Sequence, residues 1–203
     1  AMRGTLWLTP LLAFSLLAAC DSKPEEEPKK EEPKKEEPKA EEEPKAPAPA
    51  AWAWTLPKGL EAPAVPADNP MTADKVKLGH ELFMDKRLSV DGTRSCYSCH
   101  QNELGNADGR KKALGPGNKV LARNTPTIWN VAYHKELYWD GRAPSLEKQA
   151  IGAWKGGNMA VGADNLDAKA KEIGALPEYR SQFEQVFGLA ADADVEPMHV
   201  AMA

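Results

Sequence analysis

The hydrophobic positions of the second half of the chain recur at the spacing of α-helices, and no stretch alternates in the manner of a strand. A helix is predicted to begin after Thr72, a residue type that caps helices, and to turn Val76, Leu82 and Phe83 inward. Two further helices are predicted in "SLEKQAIGAW" and "NLDAKAKEIGAL". The pattern therefore indicates a mainly α domain.

The most clearly marked helix is "PEYRSQFEQVF", which begins with proline at the first helical position and is followed by Gly188. Its apolar stripe consists of Tyr179, Phe183, Val186 and Phe187. A last helix is predicted to begin near Val195, and the sequence ends inside it. The segment 110–124 is rich in glycine and basic residues and is predicted to be a loop. Residues 51–203 have the length of one domain.

The start of the chain has the composition of an export signal. Arg3 precedes the apolar run "LWLTPLLAFSLL" and then "LAAC", which ends at Cys20. A basic start, a short apolar run and small residues predict a signal peptide over residues 1–19 rather than a spanning helix. Because a cysteine follows the small residues directly, this end resembles a bacterial lipobox, and we expect cleavage before Cys20 and its lipidation. The alternative is an ordinary signal peptide with an incidental cysteine.

Residues 20–50 repeat lysine, glutamate and proline with almost no apolar side chain. Such a segment has too little apolar surface to bury for folding to offset the conformational entropy lost on ordering. It is therefore predicted to be a disordered tether. Recurrent proline breaks helices and keeps the chain extended, which gives a reach of roughly 90 Å at about 3 Å per residue. The charges are mixed and the formal net charge is −4, so nucleic acid is not an expected partner.

The chemistry of the chain is concentrated in "CYSCH", Cys96 to His100. Cys-x-x-Cys-His is typical of c-type haem attachment, in which each thiol bonds to a vinyl group and the histidine binds iron. A zinc site needs further soft or imidazole ligands, and the only other cysteine is Cys20. A redox dithiol does not need the adjacent histidine. Haem c is attached outside the bacterial cytoplasm, so the motif agrees with export and predicts a periplasmic, lipid-anchored protein.

Three segments together resemble the amino-terminal half of the bacterial di-haem cytochrome c peroxidases. They are "LGHELFMDKRLSVDGTRSCYSCHQ", "RNTPTIWNVAYHKELYWDGRAPSLEKQAIG" and "LPEYRSQFEQVFG". The enzymes that mature the tryptophan-derived cofactor of methylamine dehydrogenase belong to the same superfamily. The resemblance implies a cytochrome c-like haem domain over residues 51–203. Family members have a second haem domain and an inter-domain calcium ion, whereas this chain has one motif, so we expect truncation before that domain; a one-haem relative is the alternative.

The resemblance also implies roles for single residues. Cys96, Cys99 and His100 match the attachment and proximal-ligand positions of the peroxidatic haem. Trp139 matches a tryptophan between the two haems, and Gln149 matches a glutamine of the distal pocket. Asn124 matches a residue at the inter-domain calcium site. Apart from the resemblance, the planar guanidinium groups of Arg123 and Arg142 suit haem propionates, and structural ion pairs are the alternative.

Two positions depart from the family pattern. Where resting peroxidases carry a histidine between two glycines, this sequence has Pro116, which would leave the distal iron position open. The distal catalytic glutamate falls on Met159, with Asn158 beside it. Losing that carboxylate removes a proton shuttle that typically contributes about 10²–10⁴-fold to the rate. Met159 could instead ligate iron and raise its potential, pack against the porphyrin edge, or be misaligned.

Three classes of function remain open from the sequence. The first is an oxidoreductase of the cytochrome c peroxidase type, which reduces hydrogen peroxide with electrons from a small donor, a cytochrome or a cupredoxin. The second is an electron-transfer cytochrome c module without peroxidase activity. The third is a haem-binding scaffold that works only with a second haem domain or subunit.

Overall fold

The computed structural model describes residues 52–203. The predicted signal peptide, the lipidated Cys20 and the tether lie outside the described residues. Within the described range the chain is mainly α, as predicted, and contains no strand. Its α-helices are α1 (Ala73–Met84), α2 (Leu146–Lys155), α3 (Leu166–Gly174), α4 (Pro177–Phe187) and α5 (Pro197–Met202). Single 3₁₀ turns occur at Lys86–Leu88, Cys96–Ser98, Asn102–Leu104, Pro116–Asn118, Val131–Tyr133 and Ala163–Asn165.

The helix boundaries follow from local chemistry. The Thr72 hydroxyl accepts a hydrogen bond from the Lys75 amide at the start of α1, and Ser145 caps α2 in the same way. Pro177 occupies the first position of α4, and Gly188 ends that helix in the left-handed conformation that glycine adopts without strain. These are the positions that the sequence pattern predicts.

The core lies between the helices, where α1 packs on α4 and α5 packs on α2 and α3. Each of the first four helices contributes at least one buried side chain, and Leu78, Ala170, Ile173 and Phe183 have no exposed surface. Trp154 of α2 is buried in the same cluster. Burial of aliphatic and aromatic side chains of this size stabilises each by about 1.5–3 kcal/mol.

The buried face of α1 differs in part from the prediction. Leu82 is buried as expected, but Val76 and Phe83 are only half-buried, and Leu78 and Lys75 complete the inner face. Lys75 can be buried because its ammonium group donates to the Asn69 side chain at 2.7 Å and to the Pro70 carbonyl at 2.9 Å. The ammonium group also lies 5.2 Å from the centre of the Phe187 ring.

The segment between α1 and α2 is built from loops rather than from long helices. Three isolated antiparallel bridges close these loops, joining Gln101 to Ala107, Leu114 to Val120 and Leu137 to Ala143. The predicted loop 110–124 is therefore a loop with one short turn inside it. Among the helices of residues 52–203, none has both the length and the apolar character needed to cross a membrane.

Candidate haem-binding site

The Cys-x-x-Cys-His motif forms a tight turn directly after a small polar cap. The Ser95 amide donates to the Ser98 hydroxyl at 2.9 Å, and the Cys99 and His100 amides both donate to the Cys96 carbonyl, at 3.1 and 3.0 Å. Side chains three residues apart in a 3₁₀ turn point to the same side. The turn therefore presents both thiols to one side, as attachment to a single flat group requires.

The two thiols are free and partly buried. Burial raises the pKa of the Cys96 thiol to about 11 and also raises the pKa of Cys99. Thiol–disulfide enzymes need a cysteine whose pKa is lowered, because the thiolate is the nucleophile. Burial of the thiols therefore works against a redox dithiol.

His100 is held in one tautomer by the backbone. Its Nδ1 lies 3.1 Å from the Asn106 carbonyl oxygen, which can only accept, so Nδ1 carries the proton. The other ring nitrogen, Nε2, is then unprotonated and has a lone pair for a metal. A metal-binding histidine is usually oriented in this way, through a hydrogen bond from its second nitrogen. The Phe83 ring lies 6.4 Å from the imidazole, centre to centre, and contributes an apolar wall.

A buried hydroxyl beside the motif lacks a partner. Thr125 is 6% exposed and lies next to the Cys99 thiol, yet its Oγ1 makes no hydrogen bond of sound geometry within residues 52–203. The Cys99 thiol, a weak hydrogen-bonding group, is the neighbour that this hydroxyl can use, so Thr125 is a candidate to contact a group bound at the two thiols. The thiol pair, the oriented imidazole and this hydroxyl together fit a covalently held haem with polar edges.

Arginines other than the predicted Arg123 lie close to the haem motif. Arg123 is exposed, and its carbonyl accepts the Ala113 amide at 2.9 Å. Arg94 and Arg110 lie close enough for their charges to act on Cys99, opposing the larger effect of burial on its pKa. Their positions, two residues before the motif and ten after it, were the available sequence signal. Arg123 as a propionate partner stays a prediction.

Asn124, the predicted calcium ligand, is exposed. Between residues 52 and 203 there is no cluster of three or more histidine, cysteine, aspartate or glutamate side chains that could hold a metal ion. The calcium site stays a prediction from the resemblance alone.

Tyr138, the residue before Trp139, is hydrogen-bonded to the backbone of Gln149. The Tyr138 hydroxyl donates to the Gln149 carbonyl at 3.3 Å, and the Arg142 guanidinium lies 3.6 Å from the centre of the tyrosine ring. Tyr138 has φ of +68°, a left-handed conformation that turns the chain sharply before the tryptophan. Trp139 is 81% exposed, so it stands on the surface, while Gln149 is half-buried in α2.

Pro116 and Met159 lie on two loops that touch. Gly115 packs against the Gly157 carbonyl, where a β-carbon would not fit. Met159 is 5% exposed and belongs to the hydrophobic core that contains Trp154. Its carbonyl accepts the Val90 amide at 2.9 Å. The side chain is therefore packed among apolar neighbours.

Comparisons with known proteins agree with this geometry. The family model "Di-haem cytochrome c peroxidase" matches residues 73–203, more than half of the chain. The chain belongs to this family. Membership implies a covalent c-type haem, for which Cys96, Cys99 and His100 are the fitting residues.

Several relatives carry names from the same family. The chain is 49% identical over 125 residues to the cytochrome-c peroxidase IdrP1 of Denitromonas iodatirespirans, covering 61% of this chain and 32% of that protein. It is 40% identical over 141 residues to the methylamine utilization protein MauG of Methylorubrum extorquens, covering 68% and 38%. A solved MauG-like protein associated with microbial copper homeostasis superposes with a TM-score of 0.66 at 33% identity, covering 75% and 45%. The chain thus spans about a third of the length of these curated relatives.

Proposed function

We propose that this chain is the peroxidatic haem domain of a cytochrome c peroxidase-type oxidoreductase, which reduces hydrogen peroxide with electrons from a small donor protein. The observation that carries the proposal is the pairing of the two same-side thiols with the oriented His100. Cys96 and Cys99 would hold the haem covalently, and His100 would bind its iron through Nε2. The bound haem supplies an iron centre that exchanges electrons with peroxide.

The residues around the site set what the domain contributes to that reaction. The Cys-x-x-Cys turn and His100 would hold the haem in one orientation, and the Phe83 ring lies 6.4 Å from the imidazole, centre to centre. Peroxide cleavage also needs a proton to be moved between oxygens. The resemblance places Met159 where the family has its distal glutamate, and a thioether cannot carry that proton. We expect slow peroxide turnover for this reason.

The partners that we propose are a small cytochrome or cupredoxin as electron donor and a second haem domain or subunit. Exposed apolar side chains on the loops between α1 and α2 support the proposal of a partner. Val120 is 62% exposed, Trp129 63% and Trp139 81%. Aromatic side chains are enriched at protein–protein interfaces, and two of these three residues are tryptophans.

We also propose that the protein is periplasmic and attached to a membrane through lipid on Cys20. The support is the apolar run ending in "LAAC", the charged proline-rich repeat after it, and the extracytoplasmic attachment of haem c. Replacing Cys20 with alanine should release the protein into the soluble periplasmic fraction. Wild-type protein that is already soluble without detergent would contradict the anchor.

The central test is covalent haem. Wild-type protein made together with the haem c maturation system should give a haem-stained band on a denaturing gel, and the Cys96→Ala, Cys99→Ala double variant should give none. Cys20→Ala is the matched control, because it removes the third cysteine and should keep the stain. A colourless wild type would overturn the proposal. Peroxide consumption by the haem-loaded wild type, with a reduced small cytochrome as donor, then separates the peroxidase from an electron carrier.

A further inference from the structure

The hydrogen bond that orients His100 depends on an unusual backbone turn. Gly105 and Asn106 are consecutive residues with positive φ, +68° and +57°. Glycine adopts this conformation freely and asparagine tolerates it at modest cost. The Asn106 amide donates to the Gln101 carbonyl at 2.8 Å, and the Gln101 amide donates to Ala107 at 3.0 Å. The turn aims the Asn106 carbonyl at the imidazole.

A second loop supports this turn from outside. The Thr127 hydroxyl donates to the Gly105 carbonyl at 2.7 Å, across 22 residues of chain. The same oxygen accepts the Trp129 amide at 3.2 Å. One hydroxyl therefore connects the loop that carries the exposed Trp129 to the peptide group that precedes Asn106.

We propose that Thr127 is a positioning residue for His100: its hydroxyl fixes the Gly105–Asn106 turn, and so sets the strength of the His100 hydrogen bond and the reduction potential of the bound iron. The inference rests on the proposed function, since it requires His100 to be an iron ligand. The Thr127 hydroxyl donates to the Gly105 carbonyl and accepts from the Trp129 amide, so its effect on the imidazole is indirect. It acts through two peptide groups.

The direction of the change in reduction potential follows from the electron density on the His100 imidazole. A short hydrogen bond from Nδ1 to a carbonyl makes the imidazole a stronger donor of electron density to a metal. An imidazole that donates more electron density stabilises oxidised iron relative to reduced iron, and this lowers the reduction potential. Loosening the turn weakens the bond from Nδ1 and should raise the potential.

The test uses Thr127→Val, which keeps the shape of the side chain and removes the hydroxyl. Haem-loaded protein should show a higher reduction potential in a spectroelectrochemical titration and a lower iron–histidine stretching frequency in the reduced state. Hydrogen exchange in the peptide that contains Asn106 should become faster by about tenfold, the size expected for one lost hydrogen bond. Thr127→Ser, which keeps the hydroxyl, should retain the wild-type values.

Two controls make the outcome decisive. Thr55→Val alters an exposed threonine far along the chain and should leave the potential unchanged. If Thr127→Val does not fold, Asn106→Ala disfavours the positive φ of the same turn and should shift the potential in the same direction. If haem-loaded Thr127→Val keeps the wild-type reduction potential and iron–histidine frequency, the positioning role of Thr127 is wrong but the proposed function is untouched. The same conclusion follows if Thr127→Ser shifts the potential as much as Thr127→Val does. A wild type without haem overturns the proposed function as well.

Discussion

The Trp154 indole N–H donates to the Leu88 carbonyl at 2.7 Å, in a buried hydrogen bond between residues 66 positions apart. It joins α2 to the turn that follows α1. One residue later, the Ser89 hydroxyl accepts the Arg94 amide at 3.1 Å, which places the chain for the haem motif. The bond thus ties the interior of the domain to the approach of its candidate site.

Replacing Trp154 with phenylalanine should therefore destabilise the protein by about 1–3 kcal/mol. The ring stays largely apolar, but the Leu88 carbonyl loses its partner in the interior. Chemical denaturation of the haem-loaded protein measures the change. The matched control is Trp139→Phe, because Trp139 is 81% exposed and should change stability by no more than about 0.5 kcal/mol. Equal effects of the two substitutions would contradict the prediction.

Gly152 should not accept alanine while Tyr138 is present. A β-carbon at Gly152 would lie 2.7 Å from the Tyr138 hydroxyl oxygen, closer than such contacts occur, whereas the ring carbons would lie 3.6 Å away. Overpacking of this kind costs about 1–3 kcal/mol, and the higher helix propensity of alanine offsets about 1 kcal/mol of it, so Gly152→Ala should destabilise the protein by no more than about 2 kcal/mol.

Removing the hydroxyl should relieve that clash. In the double variant Gly152→Ala, Tyr138→Phe, part of the loss should be recovered, so the two changes should not add. A double-mutant cycle of unfolding free energies measures the coupling. Strict additivity would mean that the two residues do not meet in solution.

Met159 should tolerate leucine. It is packed in the core at 5% exposure, and methionine and leucine exchange in cores for less than about 1.5 kcal/mol. The ferric absorption spectrum of haem-loaded Met159→Leu should match that of the wild type. Loss of a charge-transfer band at the red edge of the visible spectrum would instead identify the thioether as an iron ligand.

Acid should destabilise the protein partly through Asp85. Burial opposes ionisation of this carboxyl, but hydrogen bonds from Arg87 and Tyr179 outweigh it, and its pKa lies below the ordinary value. A pKa lowered by folding contributes stability above the unfolded value, about 3.9, and that stability disappears as pH falls through the folded pKa. The free energy of unfolding should therefore decrease below about pH 4.

Two variants test this assignment. Asp85→Asn should be less stable at neutral pH and should show a smaller decrease in acid, because the responsible carboxyl is gone. Tyr179→Phe removes only the 2.8 Å hydrogen bond to Asp85 and should have a partial effect. An acid decrease in Asp85→Asn as steep as in the wild type would show that other carboxylates are responsible.

Much of the helical architecture is predictable because its signals are local. Thr72, Pro177 and Gly188 act on the backbone within one turn, so they mark helix ends without knowledge of the fold. The inner face of α1 was less predictable. A lysine at position 75 is assigned to solvent by its charge, and only the positions of Asn69 and Pro70 in the folded chain make its burial acceptable.

The haem motif is also predictable from a local signal, because five consecutive residues contain it. The supporting contacts are not. The Asn106 carbonyl reaches His100 through a left-handed turn that asparagine permits but does not require, and Thr127 comes from a separate loop. The place of Met159 in the distal pocket stays a prediction from the resemblance, because its burial in the apolar cluster does not show which face of the haem it would approach.

The three single-bridge loops have a consequence for how such a domain can change over generations. Each bridge joins residues six positions apart, so the two ends of every loop are fixed locally and do not rely on the tip. Closing a slightly longer loop adds little entropy cost, about 0.6 kcal/mol for each doubling of length. Insertions at the tips could thus accumulate while the bases stay in place. The loops around the haem motif can therefore change in length and sequence between lineages while the helices that position the motif keep their fold.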